Sequence, residues 1–340
     1  MDVADFAYEL PEASIAQTPI EPRDRARLLV DRGPGAPPEH RIVADLPAFV
    51  RPADLVVVNS TRVLPARLHL TKPTGGAVEV LLLERLPTGE WEALVRPSRR
   101  VAPGTELAAG ADLRVRFGGS GPGETTRLVR LWTTDGADEL ELLDRHGVVP
   151  LPPYINTPLA DPERYQTVFA ERPGSVAAPT AGLHLTPAVL DGCRAAGVRI
   201  EMVDLVVGMG TFRPISALKV EDHHMHAERY RVGAGTMAAC EEARAAGGRV
   251  IAVGTTTVRA LESAALSGQL EGRTELFIRR PWRWREVDVL LTNLHLPRSS
   301  LLVLIDAFVG ARWRDLYGTA LSAGYRFLSF GDAMLLDRSL

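Results

Sequence analysis

The stretch from Tyr165 to Thr186, YQTVFAERPGSVAAPTAGLHLT, has neither helical nor strand periodicity, yet it interrupts a chain that otherwise alternates strands and helices. It strings the hydroxyls of Thr167, Ser175, Thr180 and Thr186 and the single imidazole of His184 onto small residues, with Gly174 and Gly182 among them. A loop this long inside a folded domain is functional or disordered. Disorder calls for more charge and fewer apolar side chains, so the segment reads as ordered and in contact with a ligand. Four further turns fall where strands are expected to end: Asn59-Ser60-Thr61-Arg62, Gly208 to Arg213 (GMGTFR), Gly254 to Thr257 (GTTT) and Asn293 to Pro297 (NLHLP). In open α/β sheets ligands sit beyond the carboxyl ends of strands, where glycine admits close backbone approach and helix N–H groups attract anions. Each motif also has a plainer reading: GTTT as a helix cap, GMGT as a turn, and Arg259 with Glu262 as an ordinary helix-surface pair.

Histidines are the other source of acid/base chemistry. In EDHHMHAE, residues 221–228, His224 and His226 share a face if extended, but no third metal ligand and no HExxH or CxxC spacing accompanies them. No metal is therefore expected. A hydrogen-bonding or acid/base role for His223 or His226 competes with a solvated loop, and His184 in the apolar turn AGLHL reads alone as a buried, satisfied histidine. The run RRPWRWR, residues 279–285, alternates Arg with Trp282 and Trp284. Guanidinium for phosphate and indole for base stacking suit a single-stranded or loop RNA, whereas the alternative is an edge strand with a solvated Arg face. Arg96, Arg99 and Arg100 offer a second phosphate contact.

The elements that must position these residues are legible from pattern. Leu55–Val58 is an apolar strand ending at Asn59. From 61 to 150 short β-rich runs (Ala77–Leu83, Trp91–Arg96, Leu113–Phe117, Thr126–Trp132) alternate with Gly- and Pro-rich turns, which predicts a small antiparallel barrel or sandwich. After the PLPPY punctuation, Thr186-Pro187 opens a helix closed by Gly197, Val198–Val207 is a strand, and Thr236–Ala246 is a helix. Arg249–Val253 is a strand, and Thr255 caps a helix to about Leu266. Strands near Glu275–Arg279 and Val287–Asn293 follow, then a helix from Ser299 or Ser300 through Phe308 and another before Gly324. The expected fold class is α/β: a mainly parallel sheet with flanking helices, formed by residues 1–60 and 151–340, with the barrel of 61–150 inserted.

Composition agrees with a globular chain of 340 residues and 46% apolar content. The net charge of −3 argues against a broadly cationic coat for nucleic acid, though not against a local basic face. Only Lys72 and Lys219 are lysines, a bias that a GC-rich genome explains. Cys193 and Cys240 form no framework, which fits a reducing compartment. The amino-terminal residues show no leader pattern and no stretch spans a bilayer, so a cytoplasmic protein without membrane contact is expected.

Taken together, NSTRVLPARL, ERYQTVFAERPGSVAAPTAGLHLT, VGMGTFRPI, HHMHAE, GRVIAVGTTTVRALES, TNLHLPRSSLL and YRFLSFGDAM resemble the S-adenosylmethionine:tRNA ribosyltransferase-isomerase family of queuosine biosynthesis. The likeness runs over nearly the whole chain and extends to the ELPEASIAQTPIEPRDRARLLV and PLPPYI segments. It implies an α/β domain with an inserted barrel. The implied reaction transfers the ribosyl part of S-adenosylmethionine to a 7-aminomethyl-7-deazaguanine base in the tRNA anticodon and isomerises it to an epoxycyclopentanediol, with adenine and methionine leaving. S-adenosylmethionine is then a substrate, no cofactor or metal is needed, the tRNA anticodon stem-loop is the partner, and a monomer is implied.

That chemistry needs a base near the 5′ carbon acidified by the sulfonium and a proton donor for adenine. His184, His226 and Glu262 are the catalytic candidates. Substrate-binding candidates are Asn59, Thr61, Arg62, Ser175, Thr180, Gly182, Gly210, Thr211, Phe212, Arg213, His223, Thr255, Thr256, Arg259, Asn293 and His295. Among these, Arg62, Arg213 and Arg259 are the options for the methionine carboxylate or a tRNA phosphate. Arg96, Arg279, Arg280, Trp282 and Arg283 are the tRNA candidates. Three departures from the family pattern stand out: Ser60 for the usual Asp, His224 for the usual Lys, and RRPWRW where a PGY string is usual. The last allows a different amine or free deazapurine as acceptor, and a binding protein without turnover is the alternative from another class.

Overall fold

A chain segment such as Leu55–Asn59, LVVVN, with every residue buried, has to be covered on both faces and paired on both edges. Val250–Val253 and Val289–Asn293 are buried in the same way, and these three strands are the centre around which the larger part of the chain folds. A computed structural model describes residues 1–123, 125–133, 136–208 and 214–338. It divides into two units, one of Met1–Thr61, Pro152–Arg172 and Ala178–Leu340, the other of Arg62–Leu151 and Pro173–Ala177.

The larger unit holds a nine-stranded sheet. In chain order its strands are Arg27–Asp31 (β1), Glu39–Ile42 (β2), Leu55–Asn59 (β3), Arg199–Leu205 (β4), Glu228–Val232 (β5), Val250–Val253 (β6), Glu271–Thr274 (β7), Val289–Asn293 (β8) and Ala333–Asp337 (β9). Across the sheet they run β7-β5-β4-β3-β6-β8-β9-β1-β2. The four central strands β4, β3, β6 and β8 are mutually parallel, as are β9 and β1. The remaining neighbours (β7 with β5, β5 with β4, β8 with β9, β1 with β2) are antiparallel. The expectation of a mainly parallel sheet is thus corrected to a mixed one. The antiparallel flanks escape a reading of apolar runs because β5 alternates buried residues with exposed ones and β2 has no fully buried residue.

Helices Pro187–Ala195 (α1), Ala234–Ala245 (α2), Thr255–Ser267 (α3), Ser300–Val309 (α4) and Trp313–Ser322 (α5) accompany the sheet. Thr186 caps α1, its hydroxyl accepting the Val189 N–H at 3.3 Å, and Pro187 fills the first helical position, where no N–H is needed. Ser299 caps α4 by accepting the Leu302 N–H at 3.2 Å. Leu190 and Cys193 of α1 join Leu46, Val56, Val58, Ile251, Leu291 and Leu335 in one buried apolar cluster, which seats α1 against the central strands. The strand expected near Glu275–Arg279 is not formed; β7 ends at Thr274. The Leu276 carbonyl is taken by Arg259 Nε and its N–H by Thr274 Oγ1, so that backbone is committed to side chains rather than to a ladder.

The smaller unit is a six-stranded antiparallel barrel, ordered Arg67–Thr71, Ala77–Arg85, Trp91–Arg96, Arg127–Thr133, Leu113–Ser120 and Glu106–Ala109, and closed by Thr71 against Ala108. Four of these strands match runs read from the sequence. Arg67–Thr71 and Glu106–Ala109, the two that close it, alternate in burial along their length and are short. A helix at Glu139–His146, capped by Asp138, completes the unit.

Gly248 enters β6 so tightly that an added Cβ would lie 2.0 Å from the Ala53 carbonyl oxygen. Backbone on both sides must then move. Gly248→Ala is expected to lower stability by roughly 1–3 kcal/mol, read as a lower urea midpoint; an unchanged midpoint would contradict this packing of α2 into β6.

Candidate active site

The parallel strands β3, β6 and β8 all end at one edge of the sheet, and each end carries groups that no ladder can satisfy. Asn59 closes β3. Its Nδ2 donates to the Leu205 carbonyl at 3.0 Å and to Thr256 Oγ1 at 3.2 Å, and its Oδ1 accepts the N–H groups of Thr61 and Leu205, both at 3.2 Å. Two donors and two acceptors exhaust a carboxamide. Asn59 therefore ties β3 to β4 and α3, and the direct substrate contact expected for it is replaced by this positioning role.

Beyond β6 the chain turns at Gly254, with φ at +88°, and its N–H bonds the Leu291 carbonyl at 2.8 Å. A side chain there would be strained in the left-handed region and would lie 3.6 Å from Ala181 Cβ. α3 begins at the next residue without a side-chain cap, so its first N–H groups are offered to a ligand. The Thr257 hydroxyl turns back to the Val253 carbonyl at 2.7 Å, while Thr255 and Thr256 line the opening.

Asn293 closes β8. Its Nδ2 donates to His184 Nε2 at 2.9 Å and to the Leu328 carbonyl at 3.2 Å, and its Oδ1 accepts the Thr180 hydroxyl at 3.2 Å. This network holds the Ala178–Ala181 turn of the long irregular segment against β8. His295, two residues on, pairs Nε2 with Thr292 Oγ1 at 2.9 Å, and the Tyr317 hydroxyl accepts its backbone N–H at 2.9 Å.

These turns line one cleft, with about 580 Å³ between its walls when open solvent is counted. Val207, Leu296, Leu301 and Leu328 supply apolar wall; Tyr154, Thr180, Thr255, Thr256, Asn293, His295 and Ser329 supply polar groups. The Tyr154 hydroxyl is 2.7 Å from Ser329 Oγ, and burial pushes the phenol well above its ordinary range, so it stays protonated. Burial lowers His295 to about 3. His184 is lowered to about 4, first by burial and then by Arg326, Arg23 and Arg164. Both imidazoles are neutral near pH 7.

Of the residues expected from sequence, Thr180, Thr255, Thr256, Asn293 and His295 line the cleft, and His184 stands immediately behind its wall. Others are engaged elsewhere. Glu262 is fully buried and its carboxylate accepts Trp282 Nε1 at 3.1 Å and the N–H groups of Arg285, Glu286 and Val287 at 3.2, 2.9 and 3.3 Å. It anchors 282–287 to α3 and does not line the cleft. Arg259 is buried in an ion pair with Glu228 and bonds the Leu276 carbonyl at 3.1 Å. It does not line the cleft, and burial lowers it to about 10. Ser175 donates to the Ala177 carbonyl at 2.7 Å within the smaller unit. Gly182 is small because Phe169 and Thr167 would lie 2.8 and 2.9 Å from a Cβ. The Thr61 N–H serves Asn59, and Arg62 belongs to the smaller unit.

His223 packs edge-on against Phe277, and His226 is exposed. Arg280 holds Asp306 with two bonds of 2.6 and 2.8 Å, Arg279 lies 3.5 Å from Glu221, and Trp282 spends its Nε1 on Glu262. Arg96 and Arg283 are exposed. Gly210, Thr211, Phe212 and Arg213 lie outside the described residues. Tyr154 and Ser329 were not among the residues expected; the strings PLPPYI and SFGDAM were the signals that contained them. Among the described residues no group of three or more His, Cys, Asp or Glu is placed to hold a metal, and no helix is long and apolar enough to cross a membrane.

The family model described as "Queuosine biosynthesis protein" matches residues 3–336. A protein of Rubrobacter xylanophilus named S-adenosylmethionine:tRNA ribosyltransferase-isomerase is 50% identical over 340 residues, covering 99% of this chain and 98% of its own length. One of the same name from Moorella thermoacetica is 48% identical over 343 residues, covering 99% and 100%. The crystal structure of S-adenosylmethionine tRNA ribosyltransferase from Thermotoga maritima matches with a TM-score of 0.56 at 36% identity, over 97% of this chain and 99% of that one.

A buried neutral histidine makes stability depend on pH. With folded values near 4 and 3, below the ordinary 6.5, His184 and His295 bind protons in the unfolded chain first as pH falls. Their contribution is complete above pH 6.5 and is lost as pH drops toward 4 and 3, at up to about 1.4 kcal/mol per pH unit for each. Urea titrations from pH 7 to 4.5 are expected to show this slope, reduced by about one proton in His184→Asn; an unchanged slope would contradict the burial of His184.

Proposed function

We propose the function from one premise: this chain belongs to the queuosine biosynthesis protein family. It transfers and isomerises the ribosyl moiety of S-adenosylmethionine onto 7-aminomethyl-7-deazaguanine in tRNA, giving epoxyqueuosine-tRNA with release of adenine and methionine. The observation that carries this reading to particular residues is the meeting of the 178–181 turn with the strand-end segments 254–256 and 293–296 on one cleft.

In the proposed arrangement the nucleoside lies along Ala178–Ala181 and the uncapped start of α3, with Thr255, Thr256 and Thr180 hydroxyls serving its polar edges. His295 takes the proton from the 5′ carbon through the ring nitrogen that Thr292 leaves. So weak a base matches only an acidic carbon, and the neighbouring sulfonium supplies that acidity. Tyr154, kept protonated by burial, is placed in the role of proton donor to departing adenine. S-adenosylmethionine is consumed as substrate and no further cofactor is invoked. The acceptor base is assigned to the anticodon stem-loop, with Arg96 and Arg283 as exposed phosphate contacts, and the working unit to a single copy in the cytoplasm; these rest on the family's resemblance.

Incubation with S-adenosylmethionine and tRNA bearing the aminomethyl-deazaguanine should release adenine and add mass to the RNA. Adenine without modified tRNA would point to another acceptor, and ligand binding without adenine would overturn the assignment as an enzyme. His295→Gln is expected to lower kcat by about 10²–10⁴ while leaving tRNA binding unchanged; an unchanged kcat removes His295 from the proposed role.

A further inference from the structure

Behind His184 lies a second, smaller recess, with about 240 Å³ between its walls when open solvent is counted, whose lining includes Ile20, Arg23, Arg164, His184 and Ser329. Ser329 and its neighbourhood belong to the wall of the main cleft as well, so the two spaces share a boundary. Among the described residues its lining holds two guanidiniums and no carboxylate. Arg23 donates Nη1 to the Gln166 carbonyl at 3.0 Å, and among the described residues no carboxylate pairs with it. Arg164 donates Nη2 to the Ile20 carbonyl at 2.9 Å and pairs through Nε with Glu21, whose own side chain is 67% exposed. Arg326, a third cation acting on His184, spends its guanidinium on the carbonyls of Thr18 and Phe330 at 3.1 and 2.9 Å. Burial and the facing Arg164 both weaken the charged form of Arg23, with Glu21 and Asp161 opposing from farther off. A half-buried cation without an ion-pair partner, as Arg23 is among the described residues, is costly, and a guanidinium fork fits a planar carboxylate with two parallel bonds.

We infer that Arg23 and Arg164 hold the carboxylate of the methionyl portion of S-adenosylmethionine, with the recess receiving the amino-acid end while the cleft holds the nucleoside. The inference rests on the proposed substrate and deepens it. It moves the carboxylate contact away from Arg259, whose guanidinium is committed to Glu228.

The test compares S-adenosylmethionine with its decarboxylated analogue, using wild type and Arg23→Gln. Wild type should bind and turn over the decarboxylated analogue roughly 10- to 100-fold less well, the range for losing one charged hydrogen-bond partner. Arg23→Gln should raise KM for S-adenosylmethionine by a similar factor, leave tRNA affinity unchanged, and no longer distinguish the two sulfonium compounds. A loss of tRNA affinity with a shallower salt dependence and an unchanged KM would assign the recess to a phosphate and overturn the inference. So would an Arg23→Gln enzyme that behaves as wild type toward both ligands. If the variant does not fold, the wild-type comparison of the two sulfonium compounds decides alone. Calorimetric binding of both compounds reads the inference even where no adenine is released, so failure of the functional assignment is seen separately.

Discussion

Two buried carboxamides hold this site together. Asn59 and Asn293 end parallel strands that flank a third, and at both positions the strand's hydrogen-bond ladder has run out while water is excluded. Each buried backbone group there needs a partner. Asn59 supplies four bonds that join β3, β4 and α3; Asn293 supplies three that join β8, the 178–181 turn and the 328 segment. Satisfying those groups fixes the walls of the cleft, and the hydroxyls and imidazole that face it are positioned as a consequence.

The same rule decides where charge can reside. Arg259, Glu228 and Glu262 look like chemistry when met in a sequence, since a helix carrying Arg and Glu one turn apart beside a strand end is a common way to build a site. Buried charged side chains need full sets of partners, and the structure provides these internally: an ion pair for Arg259 and an arc of N–H donors for Glu262. The segment 279–285, where the chain departs most from the family pattern, is secured likewise, with Arg280 on Asp306 and the two indole N–H groups on Glu262 and the Ala307 carbonyl. The cleft itself is left with neutral groups, which suits a substrate that brings its own positive charge.

Strand ends and caps were legible because they depend on local rules. Thr186-Pro187 opens α1, Ser299 opens α4, and Val253-Gly254-Thr255 marks a strand-to-helix turn, all from residues adjacent in sequence. The cleft-lining Thr255, Thr256, Asn293 and His295 followed from strand-end turns, and Thr180 from the irregular 165–186 segment. What stayed hidden depends on pairing at long range. The antiparallel flanks come from β2 and β5, whose polar residues resemble surface loops until a partner strand is known. Tyr154 meets Ser329 across 175 residues, and Arg23 meets Gln166 across 143. No local periodicity announces such contacts, so sequence reasoning placed the walls of the site but not its far side.

Amide hydrogen exchange with and without saturating S-adenosylmethionine tests the convergence of these turns most directly. The account predicts slowed exchange together at 178–185, 254–258 and 292–296, with little change across 223–228 and 279–285. Protection confined to the latter two segments, with the three strand-end turns unaffected, would contradict it.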